Sequence, residues 1–312
     1  MKKKFNPLVS VIINVHNGDK YIYEAINSVL IQTYQNWEVI VWDNKSTDKT
    51  KDVVKSFKDY RIKYFLSNTF TALGEARNLA IKKSKGSFIA FLDSDDIWLK
   101  EKLQNQIPKF HDSKVGIVIC DTYFFNDKKI IKQLYKNKKP PKGYVFKELL
   151  SDYFISLETA VIRRESLEKL DEWFDPNFNM IEEYDLFVRI GINWKVEYVD
   201  QVLAKWRVHS NSWTWSNKEF FPKERRNMLS KFSKKIKNFK NNFSKEIRIV
   251  ERRCSLEECF YFWEKNKNLD ARFKIKDYKF DSPKWFFLYL LTFFPYKYFN
   301  LIKKFKGTLS PS

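Results

Sequence analysis

The chain has 312 residues, 44% of them hydrophobic, a formal charge of +20, and three cysteines, Cys120, Cys254 and Cys259, that form no CxxC pair. That length and composition suit a globular protein of one large domain with an appendage, and they argue against a disordered chain, a disulfide framework and a thiolate zinc site. The basic start, Met1 to Phe5, leads into a short apolar stretch with no cleavage pattern behind it, and no apolar run reaches the ~18 residues of a spanning helix, so neither a signal peptide nor a transmembrane segment is expected.

From the amino terminus, strand-like and helix-like segments alternate as in a parallel sheet with helices on its faces. Leu8 to Val15 is a β-branched run expected to form a strand covered on both sides. Tyr21 to Thr33 puts Ile22, Ile26, Val29 and Leu30 on one helical face, Glu38 to Trp42 reads as a second strand, and Thr47 to Phe57 as a helix behind Ser46. Ile62 to Leu66 is a third strand, Gly74 to Lys83 a helix, Ser87 to Leu92 a fourth strand, Trp98 to Phe110 a helix and Val115 to Cys120 another strand. Beyond Lys142, Val145 to Asp152 suggests a helix, Thr159 to Arg163 a strand, Ile181 to Ile190 a helix with an acidic first turn, and Val196 to Val199 a strand. Glu246 to Trp263 has the spacing of an amphipathic helix. Trp285 to Phe305 mixes Trp, Phe and Leu with Lys297, Lys303 and Lys304, which fits either an anchor at a membrane interface or a face docked on the protein's own core.

Polar residues gather behind three of the strands: His16 and Asn17, Asp43 and Asn44, and the cluster Asp93, Asp95 and Asp96. Ligands of open α/β sheets bind at the carboxyl ends of strands, so these segments point to one crevice. Two carboxylates about 4 Å apart repel by roughly 4 kcal/mol at an effective dielectric near 20, so the cluster asks for a cation. A divalent metal carrying a phosphorylated ligand is the natural candidate; capping of the following helix explains one aspartate, Asp96, but not three. With only seven glycines and neither GxGxxG nor GxxxxGK[ST], the chain lacks the usual backbone cradles for phosphate, so a metal is expected to help hold any pyrophosphate. Glu182, Glu183 and Asp185 stand in a helical first turn, where they serve either the helix dipole or chemistry. The positive charge lies mainly elsewhere, with ten basic residues against two acidic ones from Lys223 to Arg248 and seven lysines without an acid from Lys128 to Lys142. Such surfaces meet nucleic acid, anionic lipid or a phosphorylated substrate, or are simply solvated.

Taken in order, the segments Val9-Ser-Val-Ile-Ile-Asn-Val-His-Asn17, Ser28-Val-Leu-Ile-Gln-Thr33, Asp43-Asn-Lys-Ser-Thr-Asp48, Gly74-Glu-Ala-Arg-Asn-Leu-Ala80, Phe91-Leu-Asp-Ser-Asp-Asp-Ile-Trp98 and Glu182-Glu-Tyr-Asp-Leu186 resemble family 2 glycosyltransferases, over roughly Pro7 to Ser212. The resemblance implies a GT-A (Rossmann-like) α/β fold, a mostly parallel sheet flanked by helices over residues 1–220, with a basic, aromatic-rich helical extension over 221–312. It also implies inverting transfer of a sugar from a nucleotide diphosphate, a UDP-sugar first, to a glycan or lipid-linked acceptor hydroxyl in surface polysaccharide, lipopolysaccharide or glycoconjugate synthesis. Its donor-binding residues would be Val15, His16, Asn17, Asp43, Asn44, Arg77, Asp93 and Ser94. His16 would lie against the base, Asp43 or Asn44 would accept from the base N3, and Arg77 would contact base or diphosphate. Asp95, Asp93 and His209 would bind Mn²⁺ or Mg²⁺. Inversion needs a base opposite the leaving group. Glu183 stands where the family usually carries Asp, with Glu182 and Asp185 as alternatives.

A sugar-phosphate nucleotidyltransferase would share the crevice and metal but needs a glycine-rich loop, where this chain reads His16-Asn-Gly-Asp-Lys20. A basic membrane- or nucleic-acid-binding module leaves the acid cluster unexplained, and no RNA-recognition signature is present, so no nucleic-acid partner is expected. Together these readings place the protein in a reducing cytoplasm, peripheral on the anionic membrane face.

Overall fold

The computed structural model describes residues 5–209 and 217–299. The chain divides into two compact units, residues 1–149 with 153–212, and residues 150–152 with 213–312.

The first unit is built on nine strands: β1 (Val9–Val15), β2 (Trp37–Asp43), β3 (Ile62–Leu66), β4 (Phe88–Phe91), β5 (Ile97–Trp98), β6 (Val115–Phe125), β7 (Ile130–Gln133), β8 (Val161–Arg163) and β9 (Lys195–Arg207). They form one sheet in the order β3-β2-β1-β4-β8-β6-β9-β5, with β7 paired to β6. The β3-β2-β1-β4 half is parallel, as the alternating pattern predicts. β8 runs antiparallel to β4 and β6, and β5 antiparallel to β9, so the whole sheet is mixed. Every residue of β1 and β2 is buried, which is why these strands read as continuous apolar runs rather than alternations.

Helices α1 (Ile22–Leu30), α2 (Thr50–Ser56), α3 (Leu73–Lys82), α4 (Lys102–Gln106), α5 (Phe146–Ser151), α6 (Arg164–Glu168) and α7 (Glu182–Gly191) complete the chain as far as β9. The apolar stripe of α1, with Ile22, Ala25, Ile26 and Val29 fully buried, joins Val9, Val11, Trp37, Trp98 and Phe110 in the main core. Burying one such side chain stabilises by about 1.5–3 kcal/mol relative to exposing it. From β1 the chain winds outward to β3 and returns to the other side of β1 as β4. That reversal opens a crevice at the carboxyl ends of β1 and β4.

The structure departs from the sequence reading in several elements: β6 runs to Phe125 rather than ending at Cys120, β7 and α6 are additions, and two departures bear on the site. Where one helix was expected from Trp98 to Phe110, Ile97 and Trp98 pair with β9, α4 follows for five residues, and a 3₁₀ turn occupies Ile107–His111. Pro108, at the start of that turn, lacks the N–H an α-helix would need there, while Trp98 is buried with its indole N–H donating to the Glu158 carbonyl. β9 is thirteen residues long rather than four, because register shifts let it follow β6 along its length and carry the chain to Arg207 beside the Asp95–Asp96 loop.

The second unit comprises α8 (Phe221–Lys235), α9 (Phe239–Asn242), α10 (Ser244–Glu264), α11 (Asn268–Ile275) and α12 (Pro283–Leu291). Cys259 and Trp263 of α10 pack with Ala271 and Ile275 of α11, and Trp285, Leu288, Tyr289 and Leu291 of α12 close over them. Arg225 and Arg226 of α8 pair with Glu257, Glu251 and Glu258 of α10. Ser282 caps α12 by accepting from the Trp285 N–H, and Pro283 opens the helix. Among the described residues no helix is long and apolar enough to cross a membrane.

Candidate active site

The loops after β1 and β2 are knitted together by hydrogen bonds from backbone N–H groups to side-chain oxygens. Asn17 takes the left-handed conformation at φ 53°, which asparagine tolerates, and from there its N–H donates to Ser46 Oγ and its Oδ1 accepts from the Thr47 N–H, both at 2.8 Å. Gly18 is forced by close approach: a Cβ there would stand 2.4 Å from Val15 Cγ2 and 3.3 Å from Ser94 Oγ, so it lets the β1 and β4 loops meet. His16 is exposed, with Nδ1 3.0 Å from the Asn44 carbonyl oxygen and Nε2 3.3 Å from Asn17 Nδ2. A carbonyl can only accept, so Nδ1 carries the proton and Nε2 accepts, a neutral imidazole. Its ring meets the exposed Phe70 edge-on at 4.8 Å, leaving an aromatic corner open to solvent.

The two acceptor candidates at the end of β2 part company. Asn44 exchanges hydrogen bonds with Thr71, its Nδ2 donating to the carbonyl and its Oδ1 accepting from N–H and Oγ1, so it pins the loop before α3. Asp43 accepts from the Ser46 N–H at 2.7 Å and the Tyr64 hydroxyl at 2.6 Å, one on each oxygen. Each carboxylate oxygen holds a second lone pair, so Asp43 can accept another donor.

Arg77 on α3 joins segments distant in the sequence. Its guanidinium, 4% exposed, lies 2.6 Å from Glu182 Oε1, 3.3 Å from Asp93 Oδ1 and 3.8 Å from Glu183 Oε2. The acidic loop behind β4 and the acidic first turn of α7 thus face one another across a single cation. Arg77 is turned inward to acids rather than outward to solvent.

The three acids of α7 occupy different surroundings. Glu182 is buried on Arg77. Asp185 is buried on Arg189, whose Nε donates to it while Nη1 and Nη2 donate to the Glu172 and Trp173 carbonyls. Glu183 alone keeps a partly exposed carboxyl, 23% accessible, and burial together with the Glu182 charge raises it to about 8 despite Arg77.

Behind β4, burial raises the Asp93 carboxyl, with Arg77 opposing and Asp95 adding to the shift. Asp96 is not a helix cap. It is fully buried, its Oδ1 accepts from the Arg207 N–H at 2.8 Å, and burial with the charges of Asp95 and Glu158 pushes it well above the ordinary carboxyl range. Asp95 Oδ2 and His209 Nε2 lie 2.8 Å apart, both partly exposed. They meet in a direct contact, and the carboxylate oxygens are the donor type that Mg²⁺ or Mn²⁺ would use, with the His209 imidazole as a further nitrogen donor. No three His, Cys, Asp or Glu side chains converge among the described residues, so phosphate oxygens and water would have to complete the shell, as is usual for Mg²⁺.

Arg207 is the residue that sequence reasoning missed. Its side chain, 4% exposed, donates from Nε to the Asp95 carbonyl, pairs with Asp127 and Glu24, and lies over the rings of Tyr21 and Phe125. The signal was its place two residues before His209, at the end of a strand. Arg207→Ala is expected to lower stability by about 2–3 kcal/mol in urea unfolding, since charged hydrogen bonds and cation–π contacts are lost together. An unchanged midpoint would show that the loop holds without it.

Comparison with known proteins speaks to the family and the fold. The profile described as Glycosyl transferase family 2 matches residues 10–171. The Escherichia coli protein WfgD, named as a UDP-Glc:alpha-D-GlcNAc-diphosphoundecaprenol beta-1,3-glucosyltransferase, is 33% identical over 185 residues, covering 59% of this chain and 69% of its own. Among solved structures, S. aureus TarS 1-349 in complex with UDP-GlcNAc superposes with a TM-score of 0.64 at 20% identity, over 87% of this chain and 80% of that one. The Pyrobaculum calidifontis mannosyltransferase PcManGT, with GDP-Man and Mn²⁺, gives 0.64 at 17% identity over 96% and 85%. At such identities these structures speak for the fold.

Proposed function

The chain belongs to glycosyl transferase family 2 and is a glycosyltransferase, and from that premise we propose that it moves a sugar from a nucleoside diphosphate, UDP first, to a hydroxyl of a lipid-carried glycan in surface polysaccharide assembly, with inversion and with the help of a divalent cation. The observation that carries the reading is the Arg77 bridge, which brings the acidic loop behind β4 and Glu183 of α7 to one guanidinium. WfgD by name uses a UDP-sugar and a diphosphoundecaprenol-linked acceptor, which supports the donor and acceptor classes.

In this reading the base lies in the corner of His16 and Phe70, beside Val15 and Asn17, with its N3–H donated to Asp43 and Asn44 holding the loop that carries Phe70. Asp93 and Ser94 line the ribose and diphosphate, and Arg77 acts as a positioning residue through Asp93 and Glu183. Asp95 and His209 would hold Mn²⁺ or Mg²⁺, whose charge offsets that developing on the departing diphosphate. Glu183 takes the proton of the acceptor hydroxyl as its oxygen attacks the anomeric carbon from the face opposite the diphosphate. The C–O bond to the diphosphate breaks with its electron pair leaving on phosphate oxygen, so one displacement inverts the centre.

The test is a thermal-shift screen of nucleotide sugars with Mn²⁺. The cognate donor at about 100 times its Kd is expected to stabilise by about 2.7 kcal/mol, and UDP-sugars should lead. A panel in which no nucleotide sugar moves the melting temperature would remove the reading.

A further inference from the structure

The helix α12 is apolar on two faces, and among the described residues one packs into the core of its unit while the other stays largely exposed. Trp285, Leu288 and Tyr289 face the core of the second unit, with Thr292 fully buried one turn on. The other face carries Phe286, Phe287 and Leu290 and continues into Phe293 and Phe294, which are 43–59% exposed, with Phe280 79% exposed and stacked on Phe286. A helix hydrophobic all round belongs in an apolar medium, and monomeric proteins rarely leave such rings in water.

The charges around this face name the medium. Lys279 lies 4.9 Å from the Phe280 ring and 5.3 Å from that of Tyr289, Arg272 sits 3.3 Å over Phe293, and Lys297 5.2 Å from Tyr298. Exposed aromatic rings rimmed by long cationic side chains match the boundary of a bilayer, where rings enter the acyl edge and ammonium groups reach anionic headgroups. Residues 217–312 hold 24 basic side chains against ten acidic ones, so most of the chain's +20 lies on the part that carries the face. A second copy of this chain would bring like charge to the same place.

We infer that the outward face of α12, from Phe280 to Phe294 with Lys279, Lys284 and Lys297 at its rim, docks on an anionic lipid bilayer. It lies flat, since no described helix is long enough to span. This deepens the reading of a lipid-carried acceptor, because the surface would hold the enzyme where such an acceptor resides.

Flotation reads the surface and donor hydrolysis reads the catalytic site, so one can fail without the other. The full chain is expected to float with phosphatidylcholine–phosphatidylglycerol vesicles and far less with phosphatidylcholine alone. The variant Phe280→Ser/Phe287→Ser/Phe294→Ser, altered only at exposed rings, should partition about 100-fold less with donor hydrolysis unchanged. Lys279→Glu/Lys284→Glu leaves the apolar face whole and should abolish the preference for phosphatidylglycerol. Failure of the wild-type chain to float, or equal flotation of the serine variant, overturns the proposal. So does a serine variant that turns a dimer into a monomer while still floating, which would make the face a contact between copies.

Discussion

Glu183→Gln is expected to lower kcat for transfer by about 10²–10⁴-fold, the usual worth of a general base, with little change in donor KM. Glu183 is the acid of α7 whose carboxyl is both partly open to the crevice and unclaimed by a close ion pair; Arg77 stands 3.8 Å away and is held at 2.6 Å by Glu182. Glutamine keeps the shape and cannot take the proton. The raised carboxyl adds a signature: the wild-type enzyme should gain kcat/KM with rising pH until about 8, and the variant's residual rate should lose that limb.

Stability is expected to move the other way. In the unfolded chain Glu183 titrates in the ordinary carboxyl range, whereas in the fold it binds its proton until about 8. The folded state therefore holds more protons between those limits, and wild-type stability falls as pH climbs through them. Glutamine removes that dependence, so the variant should unfold later than wild type at pH 9 and the difference should fade toward pH 4. A variant of full activity would reassign the base, and equal melting curves at pH 9 would deny the strained carboxylate.

Asp95→Ala is expected to weaken Mn²⁺-dependent binding of UDP by about 100-fold in calorimetric titration, with transfer falling at least as far. Its carboxyl is 31% exposed and, among the described residues, pairs closely with His209, so the melting temperature should barely change. Asp96→Ala is the useful contrast. It removes the buried acceptor of the Arg207 N–H and should cost stability directly. If Asp95→Ala bound UDP and Mn²⁺ as wild type does, the assignment of the Asp95–His209 pair would be lost.

Much of the crevice was legible in advance. Runs such as Val9 to Val15 and Trp37 to Asp43 are buried on both faces, and polar residues at their ends must then stand at the sheet's carboxyl edge. Position alone did not assign roles. Asn44 and Asp43 are neighbours, yet Thr71 claims one and leaves the other with spare acceptor capacity. Asp96 looked like a cap until β9 arrived beside it. The aromatic segment near the C-terminus posed a choice between docking and exposure, and α12 does both, one stripe inward and one outward. The part of that segment from residue 300 onward lies outside the described residues.

The sequence by itself determined the βα alternation, the edge of the sheet at which ligands gather, the acid cluster and the family resemblance, because periodicity and motif order are properties of neighbours along the chain. Only the tertiary structure decided that Arg77 spans Asp93 and Glu183, that Arg189 takes Asp185, that Arg207 props the Asp95 loop, and which rings of α12 face outward. Those outcomes depend on which charges and apolar surfaces meet after folding, and the ion pair of Arg77 with Glu182 joins residues 105 positions apart.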